Sequence, residues 1–95
     1  MRHFINHTEE NYLKAIFSLT ENTEKGVSTN SIARSLDTKA SSVTDMMKKL
    51  SEKGLVVYKK YYGVSLTSKG QKIALATIRK HRLWETFLVN NLGFN

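Results

Sequence analysis

Apolar positions recur along this chain with two different periods, and the change from one to the other outlines the architecture. From about Thr8 to Asn22, Tyr12, Ala15, Ile16 and Leu19 fall at steps of three and four, and Leu13 and Phe17 widen the stripe. That spacing predicts an amphipathic helix with a broad buried face. Thr8 is placed to cap it, and Glu9 and Glu10 stand where the helix dipole favours negative charge. After a polar connection at residues 22–26, Ile32, Ala33 and Leu36 predict a second, short helix, with Ser28 or Thr29 as its cap. Asp37 and Thr38 interrupt the stripe, and Thr38 is a candidate cap for the next helix. Val43, Met46, Met47 and Leu50 then carry a third helix to Gly54, a residue suited to the left-handed conformation that ends helices.

Beyond Gly54 the period shortens. Residues 55–61, LVVYKKY, are rich in β-branched and aromatic side chains and predict a strand. Tyr62 and Gly63 supply a turn, and residues 64–67 alternate as a short return strand. Thr67 or Ser68 caps a final helix running from about Ser68 to Leu92, with Ile73, Ala76, Ile78, Leu83, Trp84, Phe87 and Leu88 as its apolar positions. Its far end, including Phe94, offers more apolar surface than one small core can cover, which points to a partner chain or a further domain.

The predicted order is helix, helix, helix, hairpin, long helix. It corresponds to a mainly α fold with a small β-hairpin: a winged helix-turn-helix over residues 1–67, followed by a long linker helix over residues 68–95. In that geometry two short helices joined by a tight turn must cross, Ala33 leaves room for the crossing, and the second helix enters the major groove of DNA. Its outward side would present Lys39, Ser41, Ser42, Thr44, Asp45, Lys48 and Lys49. Ser28 and Thr38 border the same surface, and Lys59 and Lys60 near the wing tip are placed for phosphate contact, which positions a protein without reading sequence. The alternative for each is an ordinary helical hairpin or strand pair with a solvated face.

Composition sharpens this picture. The chain has 95 residues, 40% of them hydrophobic and 24% charged, enough for one domain with a modest core. A formal net charge of +7 favours a polyanionic partner. The absence of cysteine excludes disulfides and thiolate metal sites. No apolar run approaches a membrane span, and residues 1–12 lack a signal-peptide core, so a cytoplasmic protein is expected. There is no HExxH motif and no Gly-rich phosphate loop, and an enzyme is not expected. His81 and Glu85, four apart on the last helix, can share a divalent cation, with Glu10 and Asn11 of the first helix as weaker candidates; the alternative is a polar pair on a solvated helix. His3 and His7 read as surface residues.

Three stretches carry a family resemblance. TEENYLKAIFSL, the run LSEKGLVVYKKYYGVSLTSKG and above all IRKHRLWETFLVNNLG are similar to the metal-dependent repressors of the diphtheria toxin repressor and manganese transport regulator type, over nearly all of residues 8–93. The resemblance implies a winged helix that binds operator DNA as a homodimer, a following domain for dimerisation and metal ligation, and iron(II) or manganese(II) as corepressor. It places His81 and Glu85 at ancillary ligand positions. It places Asn11 where the family has a Met or Asp ligand, and Lys14 where manganese-type members have a ligating Glu. A protonated lysine cannot ligate, which argues against a two-manganese arrangement. Lys39, Ser41, Ser42 and Asp45 match the start of the recognition helix, with Asp45 departing from the Gln of the iron-type pattern. A chain ending at Asn95 would then lack the dimerisation domain. Two alternatives stay open: a winged-helix regulator without metal control, and a winged helix used for protein interaction.

Overall fold

The first helix, α1, spans His7–Thr20 and begins with a reciprocal cap. Asn6 Oδ1 accepts from the Glu9 amide at 2.8 Å, and the Glu9 carboxylate accepts from the Asn6 amide at 3.2 Å. Two orphan amides are satisfied in one exchange. The capping residue is therefore Asn6 and not Thr8, because only Asn6 lies three residues before a glutamate able to return the bond. The computed structural model describes residues 5–21, 26–59 and 62–92, the last stretch with side chains to residue 83.

Helix α2 (Thr29–Leu36) is capped by Ser28, whose hydroxyl accepts from the Ser31 amide at 3.0 Å. It ends on Asp37, in the left-handed conformation at φ 53°. The Thr38 amide then donates back to the Ala33 carbonyl at 2.9 Å, reversing the chain within three residues. Helix α3 (Ala40–Glu52) follows at once. Its preceding residue is Lys39, whose side chain makes no capping bond, so the cap expected of Thr38 is not made. At the far end Gly54 has φ 74°, and the amides of Gly54 and Leu55 donate to the carbonyls of Ser51 and Leu50. This pairing satisfies the last carbonyls and requires a residue free of the left-handed penalty.

Strands β1 (Val56–Lys59) and β2 (Gly63–Leu66) pair antiparallel, Val56 opposite Leu66 and Lys59 opposite Gly63. The expected strand is shorter at its start: Leu55 is buried and accepts from the Thr67 amide at 3.1 Å, but the regular strand begins at Val56. Gly63, expected in the turn, is already a strand residue. A third segment joins the wing. Val27 exchanges both backbone bonds with Val64, at 2.7 and 2.8 Å, so β2 lies between β1 and the entry to α2.

Helix α4 (Ser68–Leu92) lies against α1 and is capped by Thr67. The Thr67 hydroxyl accepts from the Gly70 amide at 3.1 Å and donates to the Gly54 carbonyl at 2.8 Å, tying the end of α3 to the start of α4. A Cβ on Gly70 would overlap the Leu55 carbonyl oxygen, so close approach demands glycine here. The buried side of α4 runs through Gly70, Ala74 and Thr77, with Ile73, Ile78 and His81 half-buried. Ala76, expected inside, is exposed, and Leu83 is 71% exposed. The side chains of Trp84, Phe87, Leu88 and Phe94 lie outside the described residues.

The core draws on every element: Leu13 and Ile16, Ile32, Val43 and Leu50, Leu55, Val64 and Ala74 have no exposed surface. Each of the larger ones contributes about 1.5–3 kcal/mol by leaving water. Among the described residues no helix is long and apolar enough to cross a membrane.

Candidate nucleic-acid interface

Helix α3 divides its residues cleanly. Val43, Met47 and Leu50 face the core and are buried, with Met46 half-buried. Lys39, Ser41, Ser42, Thr44, Asp45, Lys48 and Lys49 are all exposed on the other side. Ser28 and Thr38, which flank α2, are also exposed, and so is Lys59 on the wing. All of the predicted contact residues with described side chains are thus exposed. Lys60 lies outside the described residues.

Local chemistry differentiates these positions. The Ser28 hydroxyl is committed to its cap and to the Ser31 hydroxyl at 2.8 Å. Thr44 donates to the Ala40 carbonyl at 3.1 Å, which orients its methyl and leaves its oxygen lone pairs outward. The first amides of α3 have no side-chain cap, and such amides suit a phosphate oxygen. The periodicity of α3 did not disclose the hollow of about 450 Å³ beside it, which Thr29, Thr44, Lys48, Ser51, Glu52 and Tyr58 help to line. Tyr58 and Tyr62 are more than half exposed, although the sequence pattern marks them only as strand and turn residues.

Behind this surface sits a contact that spacing alone does not reveal. Glu9 is 1% exposed, and its Oε2 accepts from Lys53 Nζ at 2.6 Å. Lys53 immediately follows α3, so the pair fastens α1 to the end of that helix. Burial raises the Glu9 carboxyl, but the Lys53 and Asn6 hydrogen bonds and the charges of Lys53 and Lys49 outweigh it. The net result lies below the usual 4.5.

The candidate metal residues divide differently. Glu10 accepts from Thr77 Oγ1 at 3.2 Å and forms an ion pair with Lys80 at 3.2 Å. Asn11 borders a hollow of about 250 Å³ with Thr8, Tyr12, Leu36 and Thr38, next to the α2–α3 turn. His81 Nδ1 lies 3.2 Å from Lys14 Nζ, and its ring centroid lies 6.1 Å from that of His7. The Glu85 side chain is outside the described residues. Among the described residues, no three His, Asp or Glu side chains are grouped to hold a metal ion. With an ammonium against the imidazole and the one candidate carboxylate paired to a second, the described α1–α4 joint does not fit a transition metal.

Comparison with known proteins agrees with this architecture. The description "Iron dependent repressor, N-terminal DNA binding domain" matches residues 5–64, and "Iron dependent repressor, metal binding and dimerisation domain" matches residues 67–95. An uncharacterised HTH-type transcriptional regulator of Methanocaldococcus jannaschii is 37% identical over 86 residues, 90% of this chain and 69% of that protein. The HTH-type transcriptional regulator MntR of Bacillus subtilis is 42% identical over 80 residues, 83% of this chain and 55% of the relative. A solved manganese-dependent transcriptional repressor in complex with manganese superposes with a TM-score of 0.79 at 42% identity, covering 90% of this chain and 39% of the other. This chain therefore spans about half the length of MntR and less of the solved repressor. The helix pair, the wing and the long helix are those of the iron-dependent repressors, and the chain belongs to that family.

Proposed function

We propose that this chain is the operator-binding part of a transcriptional repressor, with α3 lying in the major groove of duplex DNA. One observation carries the reading: every polar residue predicted for the outward side of α3 is exposed, while Val43, Met47 and Leu50 anchor the helix in the core. Lys39, Lys48 and Lys59 contact phosphates and set the register. Ser41, Ser42, Thr44 and Asp45 face base edges, where a carboxylate suits a cytosine amino group. The residues named as DNA contacts are thus Ser28, Thr38, Lys39, Ser41, Ser42, Thr44, Asp45, Lys48, Lys59 and Lys60, with Ser28 acting chiefly through its cap.

The family supports a homodimer that engages two half-sites about one helical turn apart, roughly 34–36 Å. It also supports a divalent metal, iron(II) or manganese(II), as corepressor, and a cytoplasmic location beside the DNA. Such an ion acts by favouring the DNA-competent arrangement over its alternatives. In this chain its ligands would include Glu85, together with groups from the part of the relatives that these residues do not span.

The test is a binding titration with a labelled duplex selected from a random pool. Lys39→Ala and Lys48→Ala each weaken binding and flatten the slope of log affinity against log salt by about 1. Unchanged affinity and slope in both variants would remove α3 from the groove.

A further inference from the structure

The joint between α1 and α4 carries a cation of its own. Lys14, half-buried on α1, places Nζ 3.2 Å from Nδ1 of His81 on α4. An ammonium has three donors and no acceptor. Nδ1 must therefore be the lone-pair acceptor of this contact, which puts the ring proton on Nε2. A metal-holding histidine has the same arrangement: one nitrogen gives its lone pair to the ion, and the N–H of the other donates to a carboxylate or carbonyl. Here the Lys14 ammonium stands on the lone-pair nitrogen, in the position that an ion would take.

The surroundings reinforce the assignment. Glu10 is held by Thr77 and Lys80, so the carboxylate that α1 offers to this joint is already neutralised by a second ammonium. A divalent ion entering beside His81 would meet the Lys14 ammonium at close range, with the Glu10 charge already committed. No buried side-chain nitrogen or oxygen among the described residues lacks a partner.

We propose that Lys14 takes at this joint the mechanical place of a divalent metal ion. It links α1 to α4 through His81, so the long helix is held against the DNA-reading module whether or not metal is present. This deepens the reading of the chain as a repressor of a metal-binding family. Metal control, where the whole protein has it, enters through other ligands.

The experiment needs no DNA, so its failure is separate from failure of the operator-binding reading. Nitrogen-15 NMR of this chain should show His81 as the Nε2–H tautomer in metal-free buffer. Manganese(II) should shift the Tm of wild type and His81→Ala by the same amount. Lys14→Glu replaces the ammonium by a ligand beside His81, and manganese(II) should raise its Tm by more than about 5 °C, while Lys14→Met gains nothing. A His81 ring protonated on Nδ1, or a manganese-dependent shift in wild type that His81→Ala abolishes, would overturn the proposal. So would a Lys14→Glu variant that folds, as judged by its circular dichroism, but does not respond to manganese(II). If Lys14→Glu does not fold, the NMR tautomer and the His81→Ala comparison decide alone.

Discussion

Replacing Glu9 with glutamine isolates the contact that fastens α1 to the end of α3. In the native chain Glu9 Oε2 accepts from Lys53 Nζ at 2.6 Å and Oε1 accepts from the Asn6 amide at 3.2 Å. Glutamine keeps the volume and one acceptor for the Asn6 amide. It removes the charge, and its amide nitrogen would meet the Lys53 ammonium donor to donor. A hydrogen bond to a charged group contributes about 1.5–3 kcal/mol. The Glu9 side chain is 1% exposed but that of Lys53 is 21% exposed, so solvent screens part of the attraction. The expected loss is about 1.5–2.5 kcal/mol, or roughly 6–20 °C in Tm for a domain of this size. The pH dependence supplies the sharper signature. The folded carboxyl lies below its ordinary 4.5, so its contribution is complete above 4.5 and disappears as pH falls through the lower folded value. Urea unfolding followed by circular dichroism should show a full gap between wild type and Glu9→Gln at about pH 7 and a closing gap toward about pH 3. Other carboxylates titrate in both proteins and cancel in the difference. A gap that stays constant with pH, or one under about 0.5 kcal/mol at neutrality, would mean that Glu9 behaves as a solvated surface residue.

Three further outcomes follow from particular contacts. Gly70→Ala forces a Cβ onto the Leu55 carbonyl oxygen and should cost about 1–3 kcal/mol by overpacking, read as a lower urea midpoint with an unchanged slope. Thr67→Val removes both the acceptor for the Gly70 amide and the donor to the Gly54 carbonyl; it should lose about 1–2 kcal/mol, and Thr67→Ser should recover most of it in the same denaturation assay. Ser28→Ala should lower stability by about 1 kcal/mol through the α2 cap. Its DNA affinity at a temperature where it is fully folded should stay within about twofold of wild type, since the hydroxyl is already engaged; a tenfold loss would make Ser28 a direct contact.

Local rules were enough for the elements and for the exposed side of α3. The stripes Ile32–Ala33–Leu36 and Val43–Met47–Leu50 declare helices because apolar spacing near 3.6 needs no knowledge of the partner, and whatever lies opposite a buried stripe must face water. That is why Lys39, Ser42 and Lys48 could be named as exposed from spacing alone. Gly54 and Thr67 were legible for a related reason: caps are satisfied within a few residues, so their chemistry is written locally. The same argument failed at Thr8, because two residues, Asn6 and Glu9, had to be read together.

Tertiary structure decided what depends on distant residues meeting. Glu9 sits in the first turn of α1, where a carboxylate is ordinarily a solvated dipole partner; only the approach of Lys53, 44 positions later, makes it a buried ion pair. Val27 reads as the end of a polar loop until Val64 arrives to exchange two backbone bonds with it. The inner side of α4 is narrow because α1 and the Leu55 carbonyl press close to it, which selects Gly70, Ala74 and Thr77 over the larger Leu75 and Leu83. The spacing of His81 and Glu85 suggests a shared ligand, yet it cannot say that Lys14 will reach His81 first. Periodicity is a property of one element, whereas the protonation and partners of a buried polar atom belong to the space between elements.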